Sequence, residues 1–424
     1  MDFQLSKMHL LQQELFRKFA ETEIRPLAKE MDEKEAYDLD LLAKMQRCGF
    51  FGIPYSRQYG GAGADTLAYT LCMEEVSKVD ASTGITISVH TSLCCSCINN
   101  YGTEEQKQKF LRPLVDGSQI GSFGLTETNA GSDVQGAQTV AVKDGEDWIL
   151  NGSKIFTTNS GFADVCIVFA LTDRTVPAAK GLTAFIVDLK HTPGVTVSEN
   201  IERMGIRAAS NCIVTYDNVR VTPDRVLGPV GKGFKIAMGA LDCGRIGIAA
   251  QAVGIAQGAL NEAIKYGKER KQFGKPINSF QNTQFKMAEM QTKIDAARLM
   301  TWRAAIAEDQ GFEYELKSLG WDAAIAACQS GQADAMIAGA SITDERKASG
   351  WMFSDGYYDS NQTLTVPEDS DIAGFADLSG KNVAVKTGTQ GASYAESLKD
   401  EYGFTITYFE DSPTMYQAVL GGQC

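Results

Sequence analysis

The feature that most restricts the fold lies near residue 305, where the chain changes both rhythm and charge. Up to that point "IDAARLMTWRAA" continues a long helical run. From Ile306 onward, short β-branched runs alternate with short helical ones. The charge divides at the same place. The chain carries 40 Lys+Arg and 53 Asp+Glu, a net charge of −13. Residues 306–424 hold 6 of the basic and 19 of the acidic residues, which leaves 34 of each in residues 1–305. The whole imbalance therefore sits after the break, as expected for two units of different origin. Neither part is basic, so nucleic acid and anionic membranes are not expected partners.

The hydrophobic period separates four segments. Residues 1–118 read as an all-α N-terminal domain: apolar residues recur at three and four, and Leu11, Leu15 and Phe19 fall on one helical face. In "YGTEEQKQKFLRPL", Thr103 followed by Gln106 forms a capping box that opens a helix. "QYGGAGA" lacks a GK[ST] ending and a strand pattern, so it reads as a turn and not a phosphate loop. Residues 119–230 switch to β-branched runs such as "VCIVFAL", "LTAFIVDL" and "CIVTYDNVRV", bounded by Gly, Asn, Asp and Pro, which predicts a β-barrel-like middle domain. Residues 231–305 return to two long helical runs joined near "FGKPINS". Ala, Ile and Gly on both faces suit a partial α-helical bundle. Residues 306–424 predict a partial α/β segment, with strands at "GFEYELKSL", "ADAMIAG", "QTLTV", "NVAVKTG" and "FTITYFE" and helices between them.

Several chemistries have little material. Three histidines leave few Ser–His or Cys–His pairs. Ten cysteines are scattered, and "LCCSCI" lies in an apolar helical run without CxxC pairing, so the thiols read as small buried hydrophobes in a reducing compartment and no metal site is expected. The N-terminus lacks a basic stretch followed by an apolar one, which predicts a cytoplasmic protein. No run of about 18 apolar residues predicts a membrane span.

Four strings then occur in order: "FGLTETNAGSDVQGAQT" (123–139), "ILNGSKIFTTNSG" (149–161), "LDCGRIGIAAQAVGIAQ" (241–257) and "ERKQFGKPINSFQ" (269–281). Together they resemble the acyl-CoA dehydrogenases, closest to the short-chain, butyryl-CoA type, over residues 1 to about 305. The resemblance implies FAD as cofactor, a short-chain acyl-CoA as substrate, electron-transferring flavoprotein as redox partner and a homotetramer. It places Phe123, Leu125 and Thr126 against the pyrimidine side of the flavin, Phe156 and Thr158 along the ring, and Gly131 and Ser132 at the pyrophosphate. Small residues let the backbone approach such a group. Arg270 and Gln281 are implied to reach the FAD of a neighbouring subunit, with Gln272 and Phe273 supporting the adenine half. Ser132, Phe234, Met238, Leu241, Asp242 and Arg245 are implied to line the acyl-CoA site, although Asp242 and Arg245 are equally spaced for a helix salt bridge.

The family reaction removes an α-proton and a β-hydride, and the proton needs a desolvated carboxylate. Most members carry that glutamate in a segment reading like "YEGTSE", which does not occur here. A minority branch places it just before the arginine of "LDxxR", where this chain has Gly244. No catalytic residue is therefore assigned; Glu127 and Asp242 are the carboxylates nearest the motifs.

"SGQADAMIAGASITDERKASGWMFSDGYYDSNQTLTV" and "GKNVAVKTGTQGASYAESL" resemble the periplasmic amino-acid-binding proteins of ABC importers, over about 307–423. By that resemblance Trp321 stacks on an amino-acid ligand, Gly339 and Ser341 offer hydrogen bonds, Arg346 pairs with the α-carboxylate, and Thr389 and Gln390 present donors to it. Each resemblance covers only part of its family's pattern, so the chain also reads as a chimera of two partial sites.

Overall fold

The computed structural model describes residues 5–310, 364–367, 370–372, 374–410 and 412–424, together with residues 325, 328, 347 and 348. The chain divides into two compact units, Met1–Glu313 and Tyr314–Cys424.

The first unit opens with helices. α1 (Lys7–Phe19) continues through a π-turn into α2 (Arg25–Lys34), followed by α3 (Leu39–Arg47), α4 (Thr66–Ser77) and α5 (Ala81–Ser88). A second π-turn leads into α6 (Ser96–Tyr101), and a third joins α7 (Glu104–Gln106) to α8 (Arg112–Val115). The capping box forms as its spacing predicts: Gln106 N–H donates to Thr103 Oγ1 at 3.3 Å and Thr103 N–H to Gln106 Oε1 at 3.0 Å. The apolar face read on α1 is displaced. Phe16, Ala20 and Ile24, four residues apart, make the buried stripe, while Leu11 and Leu15 are 68% and 59% exposed. α4 is the inner helix, buried from Leu67 to Ser77. That run includes Glu74 and Glu75, which are neutralised from three directions: Arg17 of α1 and Lys78 grip Glu75, and Arg298 reaches Glu74 at 2.8 Å.

The middle of the unit is an eight-stranded sheet: β1 (Gly121–Gly124), β2 (Val140–Asp144), β3 (Asp147–Thr158), β4 (Val165–Leu171), then the short helix α9 (Ala178–Gly181), β5 (Leu182–Asp188), β6 (Val195–Val197), β7 (Asn211–Val221) and β8 (Val226–Leu227). The order β6-β7-β3-β2-β4-β5-β8, with β1 parallel to β4, is a path with two ends, so the barrel expected from the sequence is not closed. β2 meets β4 at a single register pair, Val140 with Leu171, while residues of both halves, Trp148 and Phe185 among them, share one core. "VCIVFAL" is buried along its whole length because its two faces serve different cores. Cys166, Val168 and Ala170 pack inside the sheet. Val165, Ile167 and Phe169 pack beneath the helices, with Cys94, Leu114 and Ile236.

α10 (Gly233–Glu269) and α11 (Gln281–Asp309) form a hairpin through the tiny β9 (Lys271–Gln272) and β10 (Lys275–Pro276). α10 is apolar nearly all round, and its neighbours approach it closely: a Cβ on Gly254 or Gly258 would fall inside the carbonyl oxygens of Glu74 and Lys78. Against the sequence expectation, α10 and the stretch Ala81–Tyr101 are long and apolar enough to cross a membrane; the second is mostly buried in the core and α10 about half buried. α11 does not stop at residue 305. Ala305 is fully buried, and the helix continues to Asp309. The Asp309 carboxylate accepts the Thr66 N–H at 2.8 Å and the Leu67 N–H at 3.3 Å, closing the first turn of α4. Residues 306–309 therefore complete the first unit.

In the second unit, β11 (Asn382–Lys386) and β12 (Thr405–Phe409) pair in parallel across α12 (Gln390–Tyr402), followed by α13 (Ser412–Leu420). This is the βαβ order read from "NVAVKTG", "ASYAESLKDEYG" and "FTITYFE". The "QTLTV" strand is corrected in its described part, since Leu364–Pro367 are irregular. In the helix read from "WDAAIAACQSG", Ile325 and Cys328 are helical; the other elements read between 311 and 363 lie outside the described residues.

Candidate functional site

Two segments of the β domain run side by side. The Ile155 N–H donates to the Thr126 carbonyl at 2.9 Å, and Ser122 Oγ donates to the Thr158 carbonyl at 2.7 Å. These bonds bring Thr126 next to Phe156, and β1 next to Thr158. The β3–β7 register slips between Lys154 and Thr157. Phe156 lies in this bulge with φ +55°, a left-handed conformation uncommon for an aromatic residue. The bulge turns its ring outward to 55% exposure. Such strain in an aromatic residue beside a loop of small polar residues is a common mark of a functional site. Gly131 and Ser132 are exposed, and a Cβ on Gly131 would meet open space.

Phe123 and Leu125 are instead part of the core, at 8% and 7% exposure, and Phe123 packs on Phe169 with ring centroids 5.1 Å apart. Their side chains are packing; only their backbone is available to a ligand. The group the first motifs imply still fits: an outward aromatic ring, the half-buried Thr126 and Thr158 beside it, and an open stretch at 131–132 suit a flat polycyclic ring carrying a phosphate tail.

Arg270, Gln272, Phe273 and Gln281 stand apart from that site. They sit where α10 turns into α11, and all four are exposed. Phe273 and Gly274 both have positive φ, at +50° and +75°, forming the two-residue turn between β9 and β10. Phe273 is 93% exposed at the tip.

On α10, Phe234, Met238 and Leu241 pack against the core beneath the helices. Asp242 and Arg245 are ion-paired to each other, the helix pairing their spacing allows. Gly244 faces the π-turn of residues 89–95: a Cβ there would lie 3.1 Å from Leu93 Cδ2 and 3.6 Å from Ser92 Oγ. That position holds no carboxylate.

Glu127 is likewise unavailable as a base. Its Oε1 lies 2.6 Å from Nζ of Lys154, and it accepts the Gln138 N–H at 2.6 Å and the Thr139 N–H at 3.0 Å. Burial pushes its carboxyl upward, but the Lys154 ammonium and these donors hold it below the ordinary glutamate value. Lys154 is wholly buried, which lowers its own affinity for a proton while Glu127 opposes the shift. The sequence reading missed Lys154. Its signal is parity: Trp148, Leu150 and Lys154 are all buried on β3, and a lysine at an inward-facing position needs a partner.

The cysteines 94, 95 and 97 are free and buried. His90 Nδ1 accepts the Gly121 N–H at 2.9 Å, and its Nε2 lies 3.3 Å from Cys95 Sγ. Among the described residues no cluster of His, Cys, Asp and Glu could hold a metal. In the second unit, the Thr389 hydroxyl is spent on capping α12: it accepts the Ala392 N–H at 3.2 Å and donates to the Lys386 carbonyl at 2.7 Å. Gln390 begins that helix. Trp321, Gly339, Ser341 and Arg346 lie outside the described residues.

Comparison with known proteins matches three family models in order: acyl-CoA dehydrogenase N-terminal domain at residues 6–118, middle domain at 122–219 and C-terminal domain at 231–338. A fourth, bacterial extracellular solute-binding proteins family 3, matches residues 299–419. The short-chain specific acyl-CoA dehydrogenase of Clostridium acetobutylicum is 48% identical over 314 residues, 74% of this chain and 82% of that protein. Among solved structures, butyryl-CoA dehydrogenase from Megasphaera elsdenii is 45% identical with a TM-score of 0.71, covering 73% of this chain and 82% of that one. A chain in the structure of the electron transferring flavoprotein of Acidaminococcus fermentans is 46% identical with a TM-score of 0.72, covering 73% of this chain and 81% of that one.

Proposed function

The chain belongs to the acyl-CoA dehydrogenase family, and from that premise we propose that residues 5–309 bind FAD and a short-chain acyl-CoA but do not complete the dehydrogenation. FAD is the cofactor of this family. When bound, it supplies the acceptor for a hydride from the acyl β-carbon. The chain's own residues supply the setting: Phe156 offers the ring an apolar face, the Thr126 and Thr158 hydroxyls offer hydrogen bonds along its edge, and the exposed Gly131–Ser132 stretch admits the pyrophosphate. The apolar α10 residues Phe234, Met238 and Leu241 suit a short acyl chain.

The observation that carries the reading is that three candidate positions among the described residues offer no free carboxylate. Gly244 has no side chain, Glu127 is held by Lys154, and Asp242 is paired with Arg245. No carboxylate is free to take the α-proton at these positions, and without that transfer the hydride step stalls. The test is anaerobic addition of butyryl-CoA to the FAD-loaded protein. A perturbed but unbleached visible flavin band is expected; bleaching would refute the missing base. Electron-transferring flavoprotein is the redox partner this reading implies, supported by the likeness to a chain in a structure of one.

A second reading concerns residues 314–424. The solute-binding family match and the βαβ unit at residues 382–409 favour an amino-acid-binding origin. Calorimetric titration with glutamine and arginine tests it; no heat of binding would sink it.

A further inference from the structure

Glu127 is the point at which both ends of the "TETNAGSDVQGAQT" loop meet. On its near side, Lys154 Nζ donates to Glu127 Oε1 at 2.6 Å and to the Leu125 carbonyl at 3.2 Å. On its far side, the same carboxylate accepts the N–H groups of Gln138 and Thr139. The next strand residue, Ile155, takes the Thr126 carbonyl through its N–H at 2.9 Å. Between these anchors lies the loop with the exposed Gly131 and Ser132, while Ala130 and Ala137 turn inward.

Lys154 is also the last β3 residue in register before the slip that turns Phe156 outward. One buried ion pair thus fixes the loop to the strand at the root of the bulge. A charged pair this deep is expensive to desolvate, and apolar replacements of similar volume are often as stable. Stability alone therefore gives little reason for charges here. What the charges add is direction: a carboxylate with an ammonium on one side and two backbone donors on the other has essentially one orientation.

We propose that Lys154 and Glu127 are positioning residues for the flavin, a latch that fixes the 125–139 loop and the Phe156 bulge in the mutual arrangement that FAD requires. This rests on the FAD-binding reading above. Neither side chain is assigned a contact with the cofactor; both act through the backbone of Leu125, Thr126, Gln138 and Thr139.

The test uses the full chain with Glu127→Gln, Lys154→Met and the double variant. It has two arms. One is FAD affinity, by titration of the apoprotein. The other is hydrogen exchange over residues 128–142 in the apoprotein, which does not depend on FAD. The double variant has no unpaired charge, so it keeps the question open to measurement if either single variant fails to fold. Each folded variant is expected to bind FAD at least about tenfold more weakly, with faster exchange over 128–142. Unchanged exchange overturns the latch. Faster exchange with wild-type FAD affinity overturns its role in positioning the flavin. A double variant that matches wild type in both arms overturns the proposal outright. Wild-type protein that takes up no FAD refutes the flavin reading and this assignment with it, an outcome distinct from the others because it appears before any substitution is made.

Discussion

Asp309→Ala tests where the dehydrogenase unit ends. The Asp309 carboxylate accepts the Thr66 N–H from both oxygens, at 2.8 and 2.9 Å, and the Leu67 N–H at 3.3 Å. The Ala68 N–H goes to Asp65 at 2.8 Å. Removing Asp309 leaves two first-turn donors of α4 without their acceptor. Loss of a capping side chain costs about 1 kcal/mol, within a range of about 0.5–2. Loss of a negative charge at a helix N-terminus adds about 0.3–1 kcal/mol. Asp309 is exposed, so solvent replaces part of both effects, and the net loss is about 1–1.5 kcal/mol. For a unit of this size that lowers the melting temperature by about 1.5–2.5 °C. Asp309→Asn keeps an acceptor and loses only the charge, so about half the loss should return. The assay is thermal unfolding at neutral pH, following the transition of the first unit. Equal melting temperatures for Asp309→Ala and wild type would refute the capping argument. A chain ending after Ala305 should be less stable than one ending after Gln310 by at least the Asp309→Ala difference; equal stability would place the end of the unit back at 305.

Three further outcomes follow from the same geometry. Gly244→Glu places a carboxyl on α10, where the added Cβ alone requires Leu93 to shift by a few tenths of an ångström; the FAD-loaded variant should be bleached by butyryl-CoA where wild type is not, and no bleaching would show that the acyl group does not pass this position. Arg298→Ala removes the 2.8 Å bond to buried Glu74, with Lys78 left to share the charge; it should cost about 2–3 kcal/mol, below the full cost of breaking a buried pair, read as a lower urea midpoint at constant slope. Burial lowers the His90 pKa from 6.5 to about 3. The folded state therefore resists a proton that the unfolded chain takes up, so stability falls as pH drops from about 6.5 towards 3. The cost at pH 5 is about 2 kcal/mol. His90→Gln can still accept the Gly121 N–H and should lose about that much less between pH 7 and 5 in urea unfolding; an unchanged acid limb would rule His90 out.

Local signals were legible where neighbours in sequence are neighbours in space. Thr103 and Gln106 satisfy each other across one turn. "VCIVFAL" announces a strand covered on both faces, and "NVAVKTG" with "FTITYFE" announces a parallel pair. What escaped depends on distant partners. Nothing local in "MEEV" signals that Glu74 and Glu75 are buried; Arg17 and Arg298 converge on them from elsewhere in the chain, beside Lys78. Lys154 went unnamed, because its partner Glu127 lies 27 residues away in the sequence. Leu11 and Leu15 have core-like spacing, but the helix turns Phe16 inward instead. In the site, Phe156 and Thr158 were named from their motif, while the bulge that exposes the Phe156 ring is a register property of two strands. Phe123 and Leu125 were assigned to the cofactor, and the sheet claims their side chains.

The tight seam along α10 also shapes how this sequence can drift. Exchanging Gly254 or Gly258 for alanine would improve helix propensity by about 1 kcal/mol each, a gain that a long helix would ordinarily accumulate over generations. Here the added methyl would collide with the carbonyls of Glu74 or Lys78, and backbone cannot step aside as a side chain can. At Gly254 and Gly258 the inward edge of α10 is thus closed to the most accessible improvement in helix propensity.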